Sequence, residues 1–162
     1  MIVAFAHEIM HFSFECVWRG KRMAEKTQCQ RADVPEALKW KLTDMYASDA
    51  KWEEEVDAIG GMAEKIASYQ GKLAESARTL LAFFQDRDAL MQAMSRMYVY
   101  ANQSYHQDTA DAHYQAYAAK AESVRVEVLS ALSFADPEIL AIPEETIAKF
   151  YQDAPELELY RR

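Results

Sequence analysis

Residues 97–117 read Met-Tyr-Val-Tyr-Ala-Asn-Gln-Ser-Tyr-His-Gln-Asp-Thr-Ala-Asp-Ala-His-Tyr-Gln-Ala-Tyr, and this stretch holds five of the nine tyrosines and two of the four histidines. It divides into a helix running in, a polar turn at Asp108-Thr109-Ala110-Asp111, and a helix running out. On the incoming side Leu90, Met94, Met97, Tyr98, Ala101 and Tyr105 form a stripe at helical spacing. On the outgoing side Tyr114, Tyr117, Ala121, Val124, Val128 and Ala131 step 3, 4, 3, 4, 3. That spacing suits near-antiparallel packing, and a short turn makes the two helices neighbours. Asp108 or Thr109 is the expected cap of the second helix.

Further upstream, Ser48 or Asp49 is a candidate N-cap. Trp52, Val56, Ile59, Ala63, Ile66 and Tyr69 then recur as an amphipathic helix, with Glu53, Glu54, Glu55 and Asp57 on its outer face. Gly60-Gly61 inside that helix calls for a bend or a close helix contact, and Gly71 is the expected stop. Ser76 opens the next helical run, with a break expected at Gln85-Asp86-Arg87-Asp88. Pro137 and Pro143 each stand where a short helix can start, over roughly 137–141 and 143–152. Pro155 opens a last fragment, and the end at Arg162, with no stop signal before it, reads as truncated.

Ahead of the helices, Leu38, Trp40 and Leu42 alternate with Lys39 and Lys41. A period of two in Pro35–Tyr46 predicts an extended arm, lying across helices because no partner strand is visible. The expected fold is therefore all-α, antiparallel helical hairpins preceded by an extended N-terminal arm. Residues 1–33 are read as an N-terminal extension and 34–162 as the helical region.

The chain has 162 residues and only four glycines and four prolines, enough length for one core and too few turn formers for an all-β fold. The net charge is −8, but residues 19–31 carry Arg19, Lys21, Arg22, Lys26 and Arg31 against Glu25. The body from residue 32 onward is strongly acidic, which argues against a nucleic-acid partner. The apolar run 2–14 is too short and too polar for a membrane span and lacks the basic start of a signal peptide. Cys16 and Cys29 leave the rest of the chain uncross-linked, which fits a reducing cytoplasm.

The ordered set Ala37–Tyr46 with Ser48-Asp49, Tyr69–Leu73, Leu90–Ala101, Asp108-Thr109, Ala131–Phe134, Pro155–Leu157 and Tyr160-Arg161 resembles the N-terminal helical portion of the oligoendopeptidase F family of thimet-oligopeptidase-like zinc metallopeptidases. The resemblance runs from about Val34 to Arg162. It implies a cytoplasmic enzyme that cuts short peptides inside a helical bowl, with this part as channel wall. The family's zinc motif, His-Glu-Phe-Gly-His, lies in a catalytic half that this chain does not contain. The resemblance therefore carries over no catalytic, cofactor-binding or metal residue. Zinc and short peptides belong to the full-length family, while this chain is expected to be inactive alone and to self-associate or pair with a complementing catalytic chain.

His7-Glu8-Ile9-Met10-His11 competes with that reading. On a helix, His7 and His11 share a face and can bind zinc, Glu8 can activate a metal-bound water, and Glu36 could be the third ligand. The motif precedes the family-like arm, however, and Glu36 belongs to that arm. Met23-Ala24-Glu25-Lys26 reads as an authentic start, preceded by Trp18-Arg19-Gly20-Lys21-Arg22, which purine-rich codons can encode. Residues 1–22 are then upstream sequence read in frame. Two other sets could hold a metal: His7, His11, Cys16 and Cys29 lack a close Cys-x-x-Cys pair, and His106, Asp108, Asp111 and His113 read more simply as a capped, solvated turn. A small zinc hydrolase and a non-catalytic helical interaction module remain as alternatives.

Overall fold

A computed structural model of the chain describes residues 33–161. The described residues fall in two units, which divide between Lys39 and Trp40. In the first unit, a 3-10 turn at Glu36–Leu38 is closed by Leu38 N–H donating to the Pro35 carbonyl, and Lys39 pairs with Glu36 at 3.0 Å.

The second unit begins with another 3-10 turn, Leu42–Asp44. The alternation around Leu38, Trp40 and Leu42 therefore does not produce one continuous extended arm. A lone strand leaves its N–H and C=O groups unpaired, and local i→i+3 bonds satisfy several of them. Leu38 and Trp40 are exposed, and Leu42 packs on the core of its own unit.

Five helices follow: α1 (Asp49–Ala67), α2 (Ala77–Gln107), α3 (Ala112–Leu132), α4 (Ala135–Leu140) and α5 (Glu144–Asp153). A 3-10 helix over Pro155–Tyr160 ends the described chain, and no strand occurs among the described residues. The first three helices pack on one another, with α2 and α3 as the antiparallel hairpin that the 97–117 stretch predicts.

Ser48 and Ser76 cap α1 and α2, accepting the N–H groups of Lys51 and Thr79. Such caps satisfy donors that the first helical turn leaves free. The third cap differs from expectation: Asp111, not Asp108 or Thr109, accepts His113 N–H and starts α3. Asp108 instead closes the turn by accepting Ala110 N–H at 3.1 Å.

The break expected at Gln85–Asp88 is absent, and α2 runs unbroken for 31 residues. These four residues include no glycine or proline, and their charges are engaged sideways. Asp86 accepts from Lys65 and Tyr69 on the preceding segment, and Arg87 pairs with Asp88.

Gly60 and Gly61 are exposed and would meet nothing within 4 Å if given a Cβ, so no close helix contact explains them. Gly71 does have a conformational role, at φ +79 in the turns after α1. The Glu138 carboxylate of α4 holds those turns, accepting Gly71 N–H at 2.8 Å and Leu73 N–H at 2.7 Å.

The core contains Trp52, Val56, Ile59 and Ile66 of α1, Leu90, Met94, Met97 and Ala101 of α2, and Tyr117, Ala121 and Val128 of α3. These are positions of the predicted stripes. Tyr100 is also buried, although it stands outside its stripe. Toward the C-terminus Tyr160 stacks on Phe84 at 4.4 Å with the Arg87 guanidinium over the Phe84 ring, which seats the last 3-10 helix on α2.

Candidate functional site

His7, Glu8, His11, Cys16 and Cys29 lie outside the described residues. The chemistry that can be built from the structure gathers where the start of α1 meets the hairpin. Asp49 and Glu53 stand four residues apart on one face of α1, and His113 and Tyr117 four apart on α3. The helices set them opposite one another as two rungs. His113 Nε2 lies 2.9 Å from Asp49 Oδ2, and the Tyr117 hydroxyl donates to Glu53 Oε1 at 3.0 Å. From α2, the Tyr100 hydroxyl donates to the other Asp49 oxygen at 2.8 Å.

An aromatic layer lies beneath these rungs. The Trp52 indole stacks on Tyr117 with ring centroids 4.2 Å apart, and Tyr46 meets Tyr100 edge-on at 5.0 Å. Burial, and next the Glu53 carboxylate that accepts its hydrogen bond, push the Tyr117 phenol up to about 12. Tyr100 is driven higher still, by burial first and Asp49 second. Tyr46 is raised by burial, then by Glu55. Its hydroxyl makes no hydrogen bond of standard geometry, although Glu55 and the Arg96 guanidinium are close enough to act on it.

These shifts all hold phenols neutral. They suit hydrogen-bond donors that fix helix positions and disfavour general bases at neutral pH. The arrangement locks three helices together and presents no activated nucleophile.

The turn cluster weighed from the sequence does not converge on one point. His106 is exposed beside Tyr105, Asp108 and Asp111 serve the turn and the cap, and His113 faces Asp49. Among the described residues no group of three His, Cys, Asp or Glu side chains could hold a metal ion. The expected solvated face of α1 is only partly so, because Glu53 binds Tyr117 and the half-buried Glu55 pairs with Arg96 of α2. The partner of Asp49 could not have been read from local spacing, since His113 lies 64 residues away.

Concavities among the described residues include two of differing character. An apolar pocket of about 60 Å³ lies among Leu80, Phe84, Ile139, Ile147, Phe150 and Leu157. An open groove of about 480 Å³ runs between Glu75, Ser76, Glu145, Lys149 and Asp153. Neither contains a histidine or a cysteine. No described helix is long and apolar enough to cross a membrane.

No family model matches the chain. Individual relatives do. Over 146 residues it is 34% identical to the oligopeptidase PepF of Bacillus subtilis (strain 168), covering 88% of this chain and 22% of that protein. Over 132 residues it is 34% identical to the chromosomal oligoendopeptidase F of Lactococcus lactis subsp. cremoris, covering 80% and 22% respectively. The crystal structure of oligoendopeptidase-F from Enterococcus faecium superposes with a TM-score of 0.64 at 29% identity, over 70% of this chain and 22% of that one. The class of protein it resembles over this segment is thus the oligopeptidases. Within it the chain belongs to the oligoendopeptidase F family, as a homologue of a segment, and it spans 22% of the length of the curated relatives it matches.

Proposed function

We propose that the chain is the N-terminal, channel-wall portion of an oligoendopeptidase F-like zinc peptidase of the cytoplasm, whose full-length form cuts short peptides. By itself it has no peptidase activity. The observation that carries this reading is similarity confined to 22% of the relatives' length, joined to a fold in which the carboxylates of Asp49, Glu53 and Asp86 fasten helices to one another. In this reading residues 34–162 are the family-like helical region and 1–33 an extension, of which 1–22 lie upstream of a translation start at Met23.

The test is zinc content and peptide cleavage on the purified chain, wild type beside Glu8→Gln. The expected result is no zinc-dependent cleavage from either. Cleavage by the wild type that Glu8→Gln abolishes would replace this reading with a small hydrolase built on His7, Glu8 and His11. N-terminal sequencing of the natural product should begin at or after Met23.

A further inference from the structure

The pocket of about 60 Å³ is built from four elements of the second unit. Leu80 and Phe84 come from α2, Ile139 from α4, Ile147 and Phe150 from α5, and Leu157 from the C-terminal 3-10 helix. Tyr151 and Tyr160 complete the lining, and no charged side chain belongs to it. Leu80, Phe84, Phe150 and Leu157 are buried, while the two isoleucines and the two tyrosines are half-buried. The lining therefore passes from the interior of the unit to a half-exposed edge.

Protein interiors leave few voids larger than a water molecule. A void among apolar side chains denies its lining the dispersion contacts of close packing, and water inside it finds few hydrogen-bond partners. An apolar molecule restores those contacts and needs no partner. Size then sets the class of ligand. An apolar cavity of about 150 Å³ takes benzene or xenon, and this pocket, at about 60 Å³, has room for only a few heavy atoms.

The Pro155–Tyr160 segment beside the pocket is fastened by ring contacts at one end. Tyr160 stacks on Phe84, the Arg87 guanidinium lies 5.6 Å from the Tyr160 centroid, and the Arg161 guanidinium lies 4.5 Å from that of Tyr151. At the other end Leu157 contributes the pocket wall, its N–H donating to the Ala154 carbonyl at 3.0 Å. We infer that this pocket is a binding site for a small apolar molecule of xenon or short-alkane size, held by dispersion between α2, α5 and the 3-10 helix. Its occupant bridges Leu157 to α2 and steadies the last 3-10 helix. The site is a property of this unit alone and is independent of the channel-wall reading.

The test is xenon, applied under pressure to the full 162-residue chain with isotope-labelled methyl groups and followed by NMR. The methyl signals of Leu80, Ile139, Ile147 and Leu157 are expected to shift along one saturable curve. Those of Ile59 and Val128, buried where the three long helices meet, should stay in place. Hydrogen exchange at Leu157 N–H should slow by about twofold at the xenon concentration that half-saturates the shifts, as for a ligand bound only to the closed form. Ile147→Phe should fill the pocket and abolish the shifts at Leu80 and Leu157, with folding checked by circular dichroism. Shifts that do not saturate, that are as large at Ile59 and Val128, or that persist in a folded Ile147→Phe chain overturn the site, as does Leu157 exchange that xenon leaves unchanged. The wild-type titration decides alone if Ile147→Phe does not fold.

Discussion

Trp52 of α1 and Met97 of α2 are joined by a buried hydrogen bond, the indole Nε1–H donating to the Met97 carbonyl oxygen at 2.9 Å. The same indole stacks on Tyr117 of α3, so one side chain with no exposure touches all three long helices. It combines large apolar burial with a polar handle that finds its partner. Trp52→Phe should cost about 1–3 kcal/mol by losing that bond and part of the ring volume, and Trp52→Ala about 3–5 kcal/mol. Urea titration checks both. A Trp52→Phe chain with the wild-type midpoint would show that the hydrogen bond contributes nothing.

The glycines should separate by sign. Gly60 and Gly61 lie within α1 with open space around them, so Gly60→Ala and Gly61→Ala should each stabilise by about 0.5–1 kcal/mol. Gly71→Ala should destabilise by a similar or larger amount, about 1 kcal/mol or more, because φ +79 is strained for a side chain. Thermal unfolding of the three variants decides it. An unchanged melting temperature for both helical variants would mean that α1 bends at this pair and needs the glycines.

Glu138 is expected to act as the clasp of the loop after α1. Its two oxygens each accept one backbone N–H, from Gly71 and Leu73, and Leu73 is fully buried. Glu138→Ala leaves both donors without their acceptor and should cost about 1–3 kcal/mol. Hydrogen exchange at Gly71 and Leu73 should quicken while the centre of α2 stays protected. Slow exchange at both amides in the variant would count against the clasp.

Alkaline pH should loosen the bundle. Tyr69 is pushed up to about 12, first by its hydrogen bond to Asp86 and then by burial, and Tyr117 to about 12 by burial and Glu53. Unfolded, each phenol titrates near 10.0. Below that pH both states keep the proton and the stabilisation is complete. Between about 10 and 12 the unfolded chain ionises first, so stability falls, and it is gone above the folded value. Asp86→Asn should return Tyr69 toward its ordinary value and leave Tyr117 where it is, as read by phenolate absorbance. No movement of Tyr69 would assign its shift to burial alone.

Asp86 makes the opposite contribution at acid pH. Burial disfavours its charge, but the Lys65 ammonium and the Tyr69 hydroxyl outweigh burial and hold the carboxyl below its ordinary value. Its stabilisation is present above that ordinary value and is lost as pH falls through the folded one. Lys65→Met should therefore reduce the acid stability of the wild type, seen as unfolding that begins at higher pH. Coincident acid transitions would discount the pair.

Much of the second unit is legible in the amino-acid order. Ser48 and Ser76 announce their helices because a hydroxyl before an apolar-periodic run caps free N–H groups. The stripes through Trp52, Met97 and Tyr117 announce their buried faces because helical periodicity is a local property of the chain. One expectation that failed concerns polar residues: Gln85–Asp88 looked like a break because four polar residues in a row resemble a loop, yet Lys65 and Tyr69 hold Asp86 within the helix.

By itself, then, the sequence determined where α1 and α2 start, which faces the long helices bury, and to which family of proteins the chain is similar. Only the tertiary structure decided that Asp49 takes His113 and Tyr100, that Glu53 takes Tyr117, and that Glu138 holds the turns after α1. The physical reason is that a hydrogen-bond partner across helices depends on their relative rotation and rise, which are settled by the packing of many side chains at once.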